Sequence, residues 1–446
     1  MTRIEFDWPD AAAERVRAAE GRLRVAGEAL RARSFDDRLR AVAEVLDDWT
    51  RADSPWRREL AQALTHATPF TGPTLEEGLD SALRAWRPED FVACAQREIG
   101  ASLAGGRRLA PFDWTTVIAG GALPMPTLLS SLLPLVLGSP VLLRQTSKDP
   151  VTGGLIARSL AARDEDLGRA FEPIGFSSDD AAAMSAVLAA PCVVATGSDE
   201  TLASITSRLS PSQRFVGYGH RFSIGVVGPN LDADGQKRVA AGLALDVARW
   251  DQGGCLSPVV VYLVDFDGAA ARRFASEVAD ALARTSADLP RGELAPEAKV
   301  AIANERSSAR MRLGDEDGML FEGDDYTVVL EPDAQARPAP LGRFLRLMCV
   351  DSVESLNRAL EAFSGNLSNV CLEGFAPAGK HSASGSIQRH EESFWTDWHR
   401  LGVSRFTSAG RLQTPPVDWP HDGLPLFVPV ARFASEGGSR PTKDLD

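Results

Sequence analysis

The segment Trp250-Asp251-Gln252-Gly253-Gly254-Cys255-Leu256-Ser257-Pro258 places one thiol behind two glycines and ahead of the apolar run Val259 to Val264. Glycines allow a sharp turn and the close approach of another group to the backbone. A thiol on such a turn can attack an acyl carbon, provided that it is deprotonated and exposed. The same pattern also suits a buried cysteine that merely packs, because free cysteine is among the most buried residue types.

A second constellation is Ala195-Thr196-Gly197-Ser198-Asp199-Glu200-Thr201, where an apolar run gives way to a helical pattern. A strand feeding a helix N-terminus offers backbone N–H groups and the positive end of a dipole, which suits a pyrophosphate. Thr196, Gly197 and Ser198 would lie closest to such a group. Helix capping by Ser198 or Asp199 explains the same residues without a ligand. The stretch Arg144-Gln145-Thr146-Ser147-Lys148 brings two cations to a second strand end, where they could pair with a phosphate on an adenosine ribose or simply line a solvated loop. The dinucleotide fingerprint GxGxxG is absent.

Elements that would position these groups follow from the periodicity. From about Asp10 to Gly100 the chain is rich in Ala, Leu, Arg and Glu with helical spacing, and Ala41, Val42, Val45, Leu46 and Trp49 share one face. From about Trp114 the texture alternates. Strands are expected at Thr115 to Ala119, Pro140 to Arg144, Pro191 to Thr196, Phe222 to Val227, Val259 to Val264, Tyr326 to Leu330 and Arg343 to Val350. Helices are expected at 151–162, 235–249 and 268–284. Strand–helix alternation at this spacing indicates parallel sheets with covering helices, an α/β class. The Pro-rich stretch from Pro415 onward is expected to wrap the surface.

Bulk properties restrict the function. The 446 residues allow two or three domains, and a net charge of -13 argues against a general binder of nucleic acid or anionic membrane. Five scattered cysteines without CxxC spacing and six dispersed histidines without HExxH fit a reducing cytoplasm and no metal site. Met1 to Asp7 does not read as a signal peptide. Prolines 124, 126, 134 and 140 break the apolar stretch from Leu123 to Leu143, which therefore reads as a buried helix and strand, not an integral membrane segment.

Taken in order, Ala119-Gly120-Gly121-Ala122-Leu123-Pro124-Met125-Pro126, Leu142 to Ser147, Gly197 to Thr201, Gly217-Tyr218-Gly219-His220-Arg221, Asp251 to Pro258, Gly402-Val403-Ser404-Arg405 and Gly410 to Pro416 form a specific set. The set resembles the acyl-CoA reductases of the bacterial bioluminescence fatty-aldehyde system, a branch of the aldehyde dehydrogenase superfamily. The resemblance covers nearly the whole chain. It implies an aldehyde dehydrogenase-like fold with two α/β lobes and an N-terminal helical segment. The expected division is residues 1–105 helical, 106–222 dinucleotide-binding, 223–408 catalytic and 409–446 a C-terminal extension.

The resemblance also implies roles. Cys255 falls at the nucleophile that forms an acyl-thioester. Gly197 and Ser198 fall where the pyrophosphate rests. Arg144 replaces a Lys that reaches the adenosine ribose, and Ser147 stands near the Glu of many NAD-preferring members. A small residue there leaves room for a 2'-phosphate that Lys148 could neutralise, so NADPH is the expected cofactor, with NADH as the alternative. Val216 or Tyr218 falls near the general base of hydrolysing members; the lack of a carboxylate there suits an enzyme that passes acyl groups between thiols. His220 could orient the site or be a packed imidazole.

The implied reaction is NADPH-dependent reduction of an acyl-CoA or acyl-carrier thioester to an aldehyde by a cytoplasmic enzyme, with homo-oligomers by analogy. One departure matters: Ala122 stands where the family's oxyanion Asn is expected. The alternatives are therefore a catalytically impaired acyl-binding paralogue, or acyl transfer without hydride.

Overall fold

The computed structural model describes residues 8, 10–314, 318–375 and 398–435. The chain divides into two compact units. One comprises residues 1–50, 87–218 and 424–446, and the other comprises 51–86 and 219–423. The helical opening is thus shared: residues 51–86 belong to the second unit.

In the first unit, β1 (Arg107–Leu109) precedes a parallel five-stranded sheet. Its strands are β2 (Thr115–Ile118), β3 (Val141–Gln145), β4 (Phe171–Gly175), β5 (Cys192–Thr196) and β6 (Arg214–Tyr218), in the spatial order β4-β3-β2-β5-β6. The order reverses between β2 and β5. At such a switch point the crevice outside the carboxyl ends of the strands is where open α/β sheets bind ligands. Helix Ala12–Ala32 packs Val16, Ala19 and Leu23 against Leu142, Ile174 and Val193. Helix Phe35–Thr50 buries the face expected from its spacing, and the indole N–H of Trp49 donates to Ser159 Oγ at 3.0 Å. The Leu123–Leu143 stretch forms the helix Pro124–Val136 and then β3.

In the second unit, a seven-stranded sheet contains β7 (Phe222–Val227), β8 (Pro258–Val264), β9 (Met319–Glu322), β10 (Thr327–Leu330), β11 (Phe344–Val350), β12 (Leu367–Glu373) and β13 (Arg405–Thr407). Its spatial order is β13-β12-β7-β8-β11-β10-β9. All neighbours are parallel except β9, which runs antiparallel to β10. Residues alternate across the sheet, as a two-residue period requires. Val261 and Leu263 face helices Ala233–Ala248 and Gly268–Asp288, while Val260, Tyr262 and Val264 face Leu356, Leu360 and Trp398. Each such fully buried aliphatic side chain contributes about 1.5–3 kcal/mol.

The segment beyond Pro415 keeps Pro416, Pro420, Leu424, Pro425 and Val428 exposed, as expected of a surface strap, but it is anchored more deeply than its proline content suggests. Val417 and Phe427 are buried, the Phe427 ring stands 5.2 Å from that of Phe91, and β14 (Phe433–Ser435) pairs antiparallel with β1. Proline content suggested a solvated strap; the buried aromatic and aliphatic residues between the prolines outweigh it. Glu98, in the π-helical turn Gln96–Gly100, accepts the N–H groups of Leu426, Phe427 and Val428 at 2.9, 2.7 and 3.2 Å. Among the described residues no helix is long and apolar enough to cross a membrane.

Candidate active site

Cys255 sits just before β8, at the edge of the second sheet where the parallel strands begin. The thiol is the exposed one of the five; Cys94, Cys192 and Cys371 are buried and Cys349 is partly so. Its backbone carbonyl accepts the Ser223 hydroxyl at 2.8 Å, and that hydroxyl in turn accepts Asn369 N–H at 3.2 Å. Two neighbouring strands therefore fix the height of the cysteine.

The turn before it is made differently from the expectation. Gly253 and Gly254 do not supply left-handed backbone. Three non-glycine residues do: Trp250, Asp251 and Gln252 have φ of 55°, 50° and 61°. Left-handed conformation costs such residues roughly 1 kcal/mol or more apiece, so the surroundings must enforce it. Asp251 Oδ1 accepts two N–H groups of the buried Arg343 at 2.9 and 2.6 Å, and Oδ2 accepts Gly292 N–H at 3.0 Å. Gln252 accepts Phe344 N–H at 2.7 Å and donates to the carbonyls of Pro258 and Phe344 at 2.9 and 3.0 Å. The Trp250 indole fills the space above Gly78, where a Cβ would come within 2.5 Å of the ring, and meets Phe70 edge-on at 5.6 Å. Gly253 instead permits a close approach, since a Cβ there would lie 2.9 Å from the Trp250 carbonyl oxygen. None of these supports was recognised from the sequence, although Asp251 and Gln252 lay within the quoted motif.

The residue is exposed, yet protein crowds its thiol. Burial pushes the Cys255 thiol up to about 12, the negative charge of Asp422 adds to the rise, and Arg221 opposes it. The free protein therefore holds a reachable but neutral thiol at pH 7. Asp422 was missed in the sequence because it lies far along the chain, in the segment read as a surface strap. His220 is exposed and lines a mostly apolar cavity of about 240 Å³ with Phe222, Val259, Tyr262, Leu341 and Met348, which Arg337 and Arg346 also border. Its carbonyl accepts the adjacent Arg221 guanidinium at 3.0 Å. Val216 and Tyr218, the positions near the expected general base, lie on β6 of the first unit.

The nucleotide candidates gather at the carboxyl ends of β2, β3 and β5. Gly120 follows β2 so closely against β5 that a Cβ would lie 2.2 Å from the Thr196 carbonyl oxygen. Ser198 caps helix Asp199–Thr206, accepting Thr201 N–H at 3.3 Å, so the capping reading is realised in the structure. Gly197 N–H is engaged by the Tyr218 carbonyl at 3.1 Å, which leaves the helix N-terminus beyond it as the donor end. Arg144 donates to the Phe176 carbonyl at 3.3 Å and stands 5.4 Å over its ring; its Nε is buried without a hydrogen-bond partner. Ser147 and Lys148 are exposed at the same strand end. An orphaned guanidinium donor beside a solvent-facing Ser and Lys fits a phosphate-bearing ligand.

Comparison with known proteins adds the family. The model described as "Acyl-CoA reductase (LuxC)" matches residues 111–433. No curated protein sequence matches. Solved structures resemble the chain in fold. An NADP-dependent enzyme of E. coli is 15% identical, with 90% of this chain and 82% of that one covered and a TM-score of 0.64. An NAD-dependent benzaldehyde dehydrogenase from Corynebacterium glutamicum is 14% identical, with coverages of 95% and 89% and a TM-score of 0.66. Aldehyde dehydrogenase 21 from Physcomitrella patens is 13% identical, with coverages of 97% and 92% and a TM-score of 0.67. The architecture is thus that of the aldehyde dehydrogenases, with a helical N-terminal segment, and the protein is an oxidoreductase belonging to the LuxC acyl-CoA reductase family.

Proposed function

We propose that the protein reduces an acyl-CoA, or an acyl group on a carrier thiol, to an aldehyde by way of an acyl-thioester on Cys255. The observation that carries this reading is a solvent-accessible Cys255 on a strained, heavily braced turn in a member of an acyl-CoA reductase family. A nicotinamide dinucleotide, NADPH in preference to NADH, would supply the hydride, with Thr196, Gly197 and Ser198 nearest its pyrophosphate and Arg144, Ser147 and Lys148 nearest its adenosine 2'-phosphate. The Cys255 sulfur attacks the thioester carbon, the new C–S bond forms, and the bond to the donor thiol breaks. Ser223 holds the Cys255 carbonyl during this exchange, and His220 orients the group that enters. The apolar cavity beside His220 is the candidate seat of the acyl chain, because apolar walls favour a hydrocarbon over water.

The test is incubation with acyl-CoAs of varied chain length and either nicotinamide cofactor. Cofactor absorbance and intact protein mass are followed together. An acyl adduct in the wild type, lost with the activity in Cys255→Ala, supports the reading. No adduct, or an unchanged rate in Cys255→Ala, ends it. Light scattering on the same samples tests a homo-oligomer.

A second reading, an acyl-binding protein with little reductase activity, is favoured by Ala122, which presents no side-chain donor just before helix Pro124–Val136. Loss of one oxyanion donor typically costs about a hundred- to thousand-fold in rate. On this reading Ala122→Asn gains activity; a fully active wild type excludes it.

A further inference from the structure

One serine beside the nucleophile has an irregular ladder on both sides. Between β7 and β8, Ser223 pairs with Pro258 and Ile224 with Val260, so Val259 is an extra residue. Between β7 and β12, Phe222 pairs with Leu367 and Ile224 with Val370, so Ser368 and Asn369 both stand opposite Ser223. Bulges are rare between parallel strands, and where they occur beside active sites they re-aim side chains. Two of them at one level carry backbone groups off the regular ladder, and Pro258 has no N–H to give.

The Ser223 hydroxyl takes up these groups. Its Oγ accepts Asn369 N–H at 3.2 Å and donates to the Cys255 carbonyl at 2.8 Å. The sense of both bonds is forced: an amide N–H only donates, and a hydroxyl has a single proton, which is therefore committed to the Cys255 carbonyl. Ser223 and Asn369 are fully buried, so bulk water does not compete for either bond. Asn369 is held in turn, its side-chain oxygen accepting Arg405 Nη1 at 2.9 Å and its amide nitrogen donating to the Ser368 carbonyl at 3.3 Å. A chain of fixed groups runs from β13 through β12 and β7 to the peptide that carries the thiol.

The same bulge joins the nucleophile to the cavity beside it. Phe222, which precedes Ser223, and the extra residue Val259 both line that cavity. Cys255 itself is exposed, so neighbouring side chains do not enclose the residue on every side. Its direction depends on how its backbone is pinned.

We propose that Ser223 is a positioning residue of the acyl transfer: its hydroxyl fixes the direction from which the Cys255 sulfur meets an acyl group seated against Phe222 and Val259. This role rests on the acyl-thioester reading above. In R–CO–S–CoA + Cys–SH → R–CO–S–Cys + HS–CoA, the Cys255 sulfur forms the new C–S bond and the bond to the departing sulfur breaks. The proton of the entering thiol ends on the departing one, and nothing is oxidised or reduced. Ser223 acts on this step through the Cys255 carbonyl.

The experiment compares the wild type with Ser223→Ala and Ser223→Thr in the full-length protein. One arm follows single-turnover acylation by octanoyl-CoA at pH 7 over a range of concentrations, read by intact mass. A second arm follows alkylation of Cys255 by iodoacetamide at the same pH, read by peptide mass. A bound acyl-CoA meets the sulfur from one direction, whereas a small free reagent meets it from any. Ser223→Ala therefore lowers the saturating rate of acylation by about a hundred-fold, the cost of a misplacement of about 1 Å. It leaves the half-saturating concentration and the alkylation rate near their wild-type values. Ser223→Thr, which keeps the hydroxyl, restores most of the acylation rate. If Ser223→Ala does not fold, Ser223→Gly, with room for a water in place of the hydroxyl, is read by the same criteria. An unchanged acylation rate, a change confined to half-saturation, or equal changes in acylation and alkylation overturn the assignment, the last because a merely structural role moves both arms together. A folded Ser223→Thr that acylates no faster than Ser223→Ala overturns it as well. A wild type that alkylates at Cys255 but never forms an adduct with any acyl-CoA overturns the reductase reading itself, and this role with it.

Discussion

Asp251→Asn should destabilise the second unit measurably while leaving its backbone possible. Asparagine tolerates the left-handed conformation that Asp251 adopts, so the substitution isolates the charge. Arg343 has no exposed side-chain surface and gives two N–H groups to Asp251 Oδ1; its remaining bonds go to Ser286 Oγ at 3.1 Å and the Leu289 carbonyl at 2.7 Å. Neutralising the partner strands a buried cation, which costs about 3–5 kcal/mol. The amide oxygen keeps one hydrogen bond, so about 3 kcal/mol is expected, or a fall of about 6–12 °C in the melting of a unit of this size. Calorimetry measures it. The pair Asp251→Asn with Arg343→Met should recover much of the loss, since a neutral, well-packed pair removes the stranded charge. A fall below about 2 °C in the single variant, well under that range, or no recovery in the double, would refute the claim that this ion pair enforces the turn.

Three further outcomes are expected. Alkylation of Cys255 in the free protein should rise about tenfold per pH unit from pH 7 to 10 with no plateau, since burial pushes the thiol up to about 12; a plateau below pH 9, seen by peptide mass, would contradict the neutral thiol. Burial raises Asp246 to about 7 against the pull of Arg249 and of the Gly410 and Leu412 N–H groups. Its native value lies above its unfolded one of about 3.9, so the native state binds the extra proton between these values. The urea stability of the wild type relative to Asp246→Asn should therefore decline as pH rises from about 4 to about 7 and then level off. Glu98→Ala removes a carboxylate shared by three backbone N–H groups, a loss on the order of 3 kcal/mol, and limited proteolysis after Leu424 should accelerate by about a hundred-fold.

What the sequence disclosed follows burial. Strands β2, β3, β5, β7, β8, β10 and β11 are covered on both faces and read as continuous apolar runs, so their positions were legible to within a residue or two. Strands β4, β6, β9 and β13 stand at sheet edges, are partly solvated and carry Pro173, Arg214, Glu322 or Arg405, so their patterns did not stand out. β12 was hidden by its polar Ser368 and Asn369, which are buried beside Ser223. Helix Pro296–Leu313 buries only Ile302, Ala309 and Leu313 and gave a weak periodicity. At the site, the thiol could be found from its glycine-flanked motif. The left-handed Trp250, Asp251 and Gln252 could not, because backbone of that hand in large side chains is imposed by distant partners such as Arg343 and Gly78. Asp422 shares no local pattern with Cys255, and only tertiary packing brings its charge to bear on the thiol.

The pairing of β14 with β1 has a bearing on biogenesis. The first unit is assembled from residues at both ends of the chain, with almost the whole second unit translated in between. A nascent chain leaving the ribosome can complete the second unit first, while Phe91 and the Glu98 turn still await their partners Leu426, Phe427 and Val428. Long-range closure of this kind is slow and leaves apolar surface open meanwhile. A truncation of only the last two dozen residues should therefore cost the yield of soluble protein far more than its length suggests.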